Sequence, residues 1–368
     1  MFNKTQQVFC LSILANLPSG KKGTQAELQE DMQKDLHKVL TDDKVIGDIG
    51  KWDVVWGPVV HVPPHGKASA NATYIAKSAA DNRYVIATAG TNGISAFGWF
   101  TEDFKVRKQY SWPYYKGVPS GLDPKIAEGT SIGLHILSQT MTSDGQNIQQ
   151  FLAGLLRSES RNVEIVVTGH SLGGALSPAL ALLLVDTQSD WDPQGKATVS
   201  VEPSAGASPG NADFSAYYDS RLGDRTNRIW NALDVVPHSW NTEQLHQIPD
   251  LYQPELSSSL SVRMLANFAA ARSKKGNYLQ LLPKTKPFQS KFNPKVDDKS
   301  KSKTKRFISQ MLFQHIDAYF IELGVEGFVQ YITELTGGKQ SVVHGGTDPE
   351  GDAEHLMALA RMEELNLL

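Results

Sequence analysis

An α/β fold with a mainly parallel central sheet and helices on both faces is what this sequence predicts, on three observations. Short β-prone runs alternate with stretches of helical spacing through the first two thirds of the chain. One run, Val163 to Thr168, leads through a glycine-punctuated turn straight into the long apolar stretch Ala175 to Val185, with no Asp, Glu, Lys or Arg from Ile165 onward. The composition, 40% hydrophobic and 20% charged over 368 residues, supplies core enough for a single α/β domain with insertions over 1–368.

Residues 1–50 form the N-terminal helical segment. The run VFCLSILANL at 8–17 is short, follows one lysine and precedes no small-x-small cleavage pattern, so it reads as an ordinary amphipathic helix rather than a secretory signal. Leu28, Met32, Leu36, Val39 and Leu40 recur at helical spacing within 25–40. Strands are expected at 52–62, 73–76 and 84–89, then helices at 126–140 and 146–157. After the strand at 163–168 and the helix from 172 come a strand at 197–202, a helix near 212–222 and a strand from Arg228 to Leu233. A surface or cap insertion of helix and loop near the active site follows at about 241–306. Its end, 284–306, is lysine-rich and poor in branched apolars, which reads as a mobile solvated loop.

A formal net charge of −3 gives no global field toward nucleic acid. The single cysteine, Cys10, excludes an intramolecular disulfide framework and leaves the compartment undetermined. No stretch reaches the roughly 18–20 apolar residues of a spanning helix, so the chain reads as soluble. No phosphate-cradling loop, dinucleotide fingerprint or spaced His/Cys set occurs, and neither cofactor nor metal is expected.

Gly169-His170-Ser171-Leu172-Gly173 fits the pattern Gly-x-Ser-x-Gly, in which a serine sits on a strained strand-to-helix turn. Glycine stands two residues either side because strand and helix approach too closely for a Cβ. Gly174 lets the helix settle on the sheet, while Pro178 stands inside that helix and must disturb it. The N–H of Leu172 at the helix start is available to a developing oxyanion.

A serine hydroxyl needs a base, and the base needs an acid to orient it. In the chain order that accompanies such an elbow, the acid comes next and histidine last. Asp234, in NALDVVP, stands where a strand should end, while Asp213, Asp219 and Asp224 fall in polar stretches. For the base, His170 adjoins the serine but should point away from it. His238 lies just past the acid, and His344 and His355 belong to a glycine-rich tail. His315, the one imidazole in the apolar segment FQHIDAYF, is the candidate.

GHSLGGAL, RIWNALDVVP and QHIDAYF together resemble the class 3 lipases, the fungal-lipase-like branch of the α/β-hydrolases, from about Tyr74 to Phe320. The resemblance implies an α/β-hydrolase fold, Ser171 as nucleophile, Asp234 as acid and His315 as base. It puts a second oxyanion donor on Thr91, after Gly90, beside the Leu172 N–H. A lid over an interfacial site is expected at 92–100, with Ile94, Phe97, Trp99 and Phe100 as its apolar residues, and Ser257 to Ala271 offers a second apolar cover. Three features depart from the family. Ala89 replaces the usual arginine, PSAGASPGN replaces a Pro-Arg-x-Gly segment, and 81 residues separate acid from base. The implied activity is carboxylic-ester hydrolysis through an acyl-enzyme, with a triacylglycerol as substrate at a lipid–water interface. A phospholipase A1 or soluble carboxylesterase would use the same triad. A catalytically silent lipid-binding or interaction module is the reading from another class.

Overall fold

A computed structural model describes residues 1–64, 66–90, 106–114, 119 and 121–337. Its main sheet has five strands in the order β1-β2-β3-β6-β7. These are β1 (Trp52–His61), β2 (Asn71–Ser78), β3 (Arg83–Thr88), β6 (Val163–His170) and β7 (Ala197–Ser204), while β4 (Gln109–Ser111) and β5 (Lys125–Ala127) make a separate antiparallel pair. Parallel pairing is confined to β3, β6 and β7; β1 and β2 join antiparallel, so the sheet is mixed rather than parallel throughout. Every residue of β3 is buried, as a strand covered on both faces must be.

The expected strand from Arg228 to Leu233 is the main departure. The chain there runs beside β7 through isolated parallel bridges at Val201–Thr226 and Ser204–Ile229. Asn227 N–H donates to Val201 O, Ile229 N–H to Pro203 O, and Ala205 N–H to Ile229 O. The bond that would complete the ladder needs an N–H at position 203, and Pro203 has none.

Helix α1 (Lys4–Leu14) is capped by Asn3 and buries every residue from Gln7 to Leu14. From Gln7 onward it is therefore a core helix buried on every side, and not the amphipathic one expected. Tyr74 donates its hydroxyl to Leu11 O at 2.7 Å, which fixes the helix against β2. Helix α2 (Gln25–Leu40) buries Leu28, Met32, Leu36, Val39 and Leu40, as its spacing predicts. Two of its polar side chains shield the edge strand: Gln29 Oε1 accepts from Val60 N–H and Gln25 Oε1 from Val62 N–H, each at 3.2 Å. Helix α3 (Asp43–Ile49) leads into β1.

The expected helix at 126–140 is divided among β5, helix α4 (Glu128–His135) and a π-helical turn, Ile136–Thr140. On the far face of the sheet, helix α5 (Ile148–Ser158) and helix α6 (Leu172–Asp186) share a core with Ile165, Val167 and Val201. Pro178 lies within α6, which runs on unbroken past it. Beyond β7, Ala212–Leu222 is helical as expected. The helices Thr242–Gln247 and Leu260–Ser273 pack on Lys303–His315 around Tyr252, Leu265, Phe307 and Met311.

The lysine-rich stretch is tied down at several points, which the reading of it as a free solvated loop missed. Phe288 packs edge-on to Tyr319 at 5.1 Å, and Phe288 N–H donates to Trp230 O. Gln310 Oε1 accepts from Asn293 N–H, and Arg306 binds both carboxylate oxygens of Asp297. The Phe288 ring, backbone N–H groups and the Arg306–Asp297 pair make these contacts, while Lys284, Lys286, Lys291 and Lys295 stay exposed.

Candidate active site

β6 delivers Ser171 to the top of the sheet between its two parallel neighbours. Ser171 has φ 61° and ψ −120°, a strained combination for a residue with a side chain. Its N–H donates to Ser204 O at 3.0 Å, and its carbonyl accepts from Ala175 N–H at 3.1 Å, so strand and helix both hold it there. The packing explains the glycines. A Cβ on Gly173 would lie 2.3 Å from Thr88 O, and one on Gly174 only 2.0 Å from Ser204 O. Leu172 opens α6, so its N–H has no carbonyl four residues back within the helix.

Asp234 sits in a turn that Asn231 builds, with Leu233 N–H donating to Asn231 Oδ1 at 3.1 Å. The aspartate is fully buried. Its Oδ1 accepts from Val236 N–H at 3.0 Å and its Oδ2 from the Tyr319 hydroxyl at 2.8 Å. His315 ends the helix Lys303–His315 and is 2% exposed. Its Nδ1 lies 2.9 Å from Asp234 Oδ2, and its Nε2 lies 2.8 Å from Ser171 Oγ. A carboxylate only accepts, so Nδ1 carries the proton and Nε2 receives the serine hydroxyl. The three side chains picked from the sequence thus meet in one hydrogen-bonded line, although acid and base lie 81 residues apart.

His170 does point away from the serine, and its partners show why it is there. Its Nε2 donates to the carbonyl of His315 at 2.8 Å, which leaves Nδ1 to accept from Ser204 Oγ at 3.0 Å. Burial, with His315 beside it, depresses its pKa to about 3, so the ring stays neutral and this tautomer persists. Phe9 of α1 and Tyr319 pack edge-on against it. His238, set aside as a base, donates Nδ1–H to Asp234 O at 2.7 Å and braces the acid's backbone.

Sequence reasoning missed Tyr319 as a site residue. Its hydroxyl donates to Asp234 and accepts from Asn231 N–H at 3.1 Å. Burial and the adjacent Asp234 raise its pKa well above the usual phenol range. A lone tyrosine four residues past the base was the available signal. The Asn231 amide donates to Gln314 O and to Gln314 Oε1, and Ser290 joins both side chains. The residue just before the base is thereby fastened to the acid's turn.

Thr91, Ile94, Phe97, Trp99 and Phe100 lie outside the described residues. Gly90, beside Thr91, is described. A Cβ on it would lie 3.2 Å from Ser171 Cβ, so Gly90 packs directly against the serine. Among the described residues no group of three or more His, Cys, Asp or Glu is arranged to hold a metal ion. No described helix is long and apolar enough to cross a membrane.

The family described as lipase (class 3) matches residues 85–243, which carry the elbow and the acid. The solved structure of a lipase designated M37 is 30% identical and superposes with a TM-score of 0.78, covering 92% of this chain and 99% of that one. The chain belongs to the class 3 lipase family. A lipase of Caenorhabditis elegans is 33% identical over 107 residues, and that match spans only 29% of its length. Class 3 lipases are carboxylic-ester hydrolases, and this one has the α/β-hydrolase fold of its relatives. As in the sequence reading, Ala89 stands at the end of the β3 run; it is 1% exposed and donates its N–H to Ala72 O.

Proposed function

We propose that this class 3 lipase hydrolyses triacylglycerol esters through an acyl-enzyme on Ser171. The observation that carries the reading is the line from Ser171 Oγ through His315 to Asp234, with bonds of 2.8 and 2.9 Å, on a serine held in a strained elbow. Ser171 Oγ attacks the ester carbonyl as its proton passes to His315 Nε2. Asp234 keeps Nδ1–H in place and balances the imidazolium that forms. The N–H of Leu172 and that of Thr91 receive the oxyanion, each worth about 10²–10³ in turnover. The tetrahedral intermediate then collapses. The C–O bond to the alcohol breaks, and the alcohol leaves with the proton from Nε2. Water gives a proton to His315 Nε2 and attacks the acyl carbonyl; the bond to Ser171 Oγ then breaks, His315 returns the proton to Oγ, and the fatty acid leaves.

The apolar residues of 92–100, flanked by glycines, are the reason to assign that segment as a lid opening at a lipid–water interface.

The test is hydrolysis of a p-nitrophenyl acyl ester and of emulsified triolein by wild type and Ser171→Ala. Wild type should act on both, with its triolein rate rising once droplets form, and the variant on neither. A variant that kept full ester turnover would refute the nucleophile. Turnover confined to soluble or phospholipid esters would replace the substrate.

A further inference from the structure

We propose that the face formed by Lys299, Lys301, Lys303 and Leu260 docks the enzyme on an anionic lipid surface. Residues 284–306 hold eight lysines and one arginine against Asp297 and Asp298, whereas the whole chain has a formal net charge of −3. The cationic charge is therefore concentrated on one segment of an otherwise acidic molecule. Asp297 is paired with Arg306, and Asp298, bound by Ser300, lies near Lys301, so the segment keeps a surplus of seven positive charges. Lys299, Lys301 and Lys303 are exposed.

An apolar side chain stands close to Lys303. Leu260 is 73% exposed, more than any other described leucine or isoleucine. Ser259 and Thr304 share a hydroxyl–hydroxyl bond of 2.8 Å, and Lys303 Nζ donates to Ser257 Oγ. These bonds hold the start of Leu260's helix against the start of the helix that carries Lys303. An exposed leucine next to cationic side chains suits a membrane surface, where the headgroups meet the charge and the acyl boundary takes the alkyl group. A nucleic-acid backbone would match only the charge.

The patch is also rigidly related to the reaction centre. Helix Lys303–His315 starts in it and ends at the base, a span of about 20 Å at 1.5 Å per residue. The same segment is bonded to the acid's turn through Ser290 and Asn231. Docking here would set the distance between the lipid surface and Ser171.

The proposal rests on the lipid-ester reading of the site, but its test needs no turnover. Full-length Ser171→Ala protein is sedimented with vesicles of phosphatidylcholine alone or mixed with phosphatidylglycerol. Each lysine near an anionic surface is worth about five-fold in partitioning, so Lys299→Gln, Lys301→Gln and Lys303→Gln together should cut binding to the mixed vesicles about a hundred-fold. The matching Lys→Arg triple should keep it, Leu260→Ser should weaken it, and added salt should reduce it. Equal binding to the two vesicle types, or an unaffected Gln triple with an unchanged melting curve, would overturn the proposal. So would tighter binding of the patch to double-stranded DNA than to the anionic vesicles. Anionic binding by a protein whose wild type hydrolyses no ester would overturn the catalytic reading alone.

Discussion

Replacing Asp234 by asparagine exchanges one oxygen for an NH₂ group and keeps the side chain's shape. The structure decides which way the amide turns. Val236 N–H donates to Oδ1 at 3.0 Å and needs an acceptor there, so the amide oxygen stays at Oδ1. The NH₂ group then takes the Oδ2 position, 2.9 Å from His315 Nδ1 and 2.8 Å from the Tyr319 hydroxyl. Tyr319 can adjust, since a hydroxyl accepts as well as donates. At His315 Nδ1 the NH₂ group, 2.9 Å away, opposes the ring N–H, and only the oxygen at Oδ1, 3.0 Å away, is left to accept it. The carboxylate charge that favoured the Nδ1–H tautomer is gone, and with the proton on Nε2 that nitrogen points a donor at Ser171 Oγ and no longer takes its proton. Such a loss of tautomer costs about 10⁴-fold in turnover, close to 5.5 kcal/mol in the barrier. Every buried polar atom keeps a partner, so the melting temperature should change little. The assay is kcat on a soluble p-nitrophenyl ester beside a thermal melt. A variant within ten-fold of wild type would refute the assignment of Asp234 as the group that orients the base.

Tyr319→Phe removes one bond to the carboxylate and strands Asn231 N–H, so it should cost roughly 2–5 kcal/mol of stability and about ten-fold in kcat, read from a denaturant titration and steady-state kinetics. Gly174→Ala puts a methyl 2.0 Å from Ser204 O, and should lower the melting temperature sharply or prevent soluble expression, whereas an unchanged melt would contradict the close packing. His170 is depressed from 6.5 to about 3 by burial, so below pH 6.5 the unfolded chain gains a proton that the folded one refuses. Stability should fall as the pH drops from 6.5 toward 3, by up to about 1.4 kcal/mol per pH unit from this group. Melting temperatures of wild type and His170→Gln across that range measure it, and the variant should show the shallower slope.

The parts of the fold that the sequence made legible are those set by near neighbours in the chain. A β-branched run, two glycines and an uncharged stretch are enough to announce β6, the elbow and α6, because steric crowding at a strand-to-helix turn permits few residues. The spacing of Leu28, Met32 and Leu36 placed α2 for a similar reason. Where distant chain competes, the reading failed. The run from Arg228 to Leu233 has strand propensity, but whether it joins a sheet depends on its partner, and its partner offers Pro203. The first helix looked amphipathic until burial on every side became visible. The lysine-rich stretch read as free loop because lysines dominate its composition, whereas Phe288, Ser290 and Asn293 make its contacts.

The same division runs through the site. Sequence alone picked out Ser171, Asp234 and His315 as the candidate nucleophile, acid and base, because each stands in a local setting that few other functions require. Tertiary structure decided how the three are held. Tyr319 bonds to Asp234, His170 carries the carbonyl of His315, and Asn231 grips Gln314, each across scores of residues. Hydrogen bonds depend on direction and on a few tenths of an ångström. Residue order does not encode that precision, and only the assembled fold supplies it.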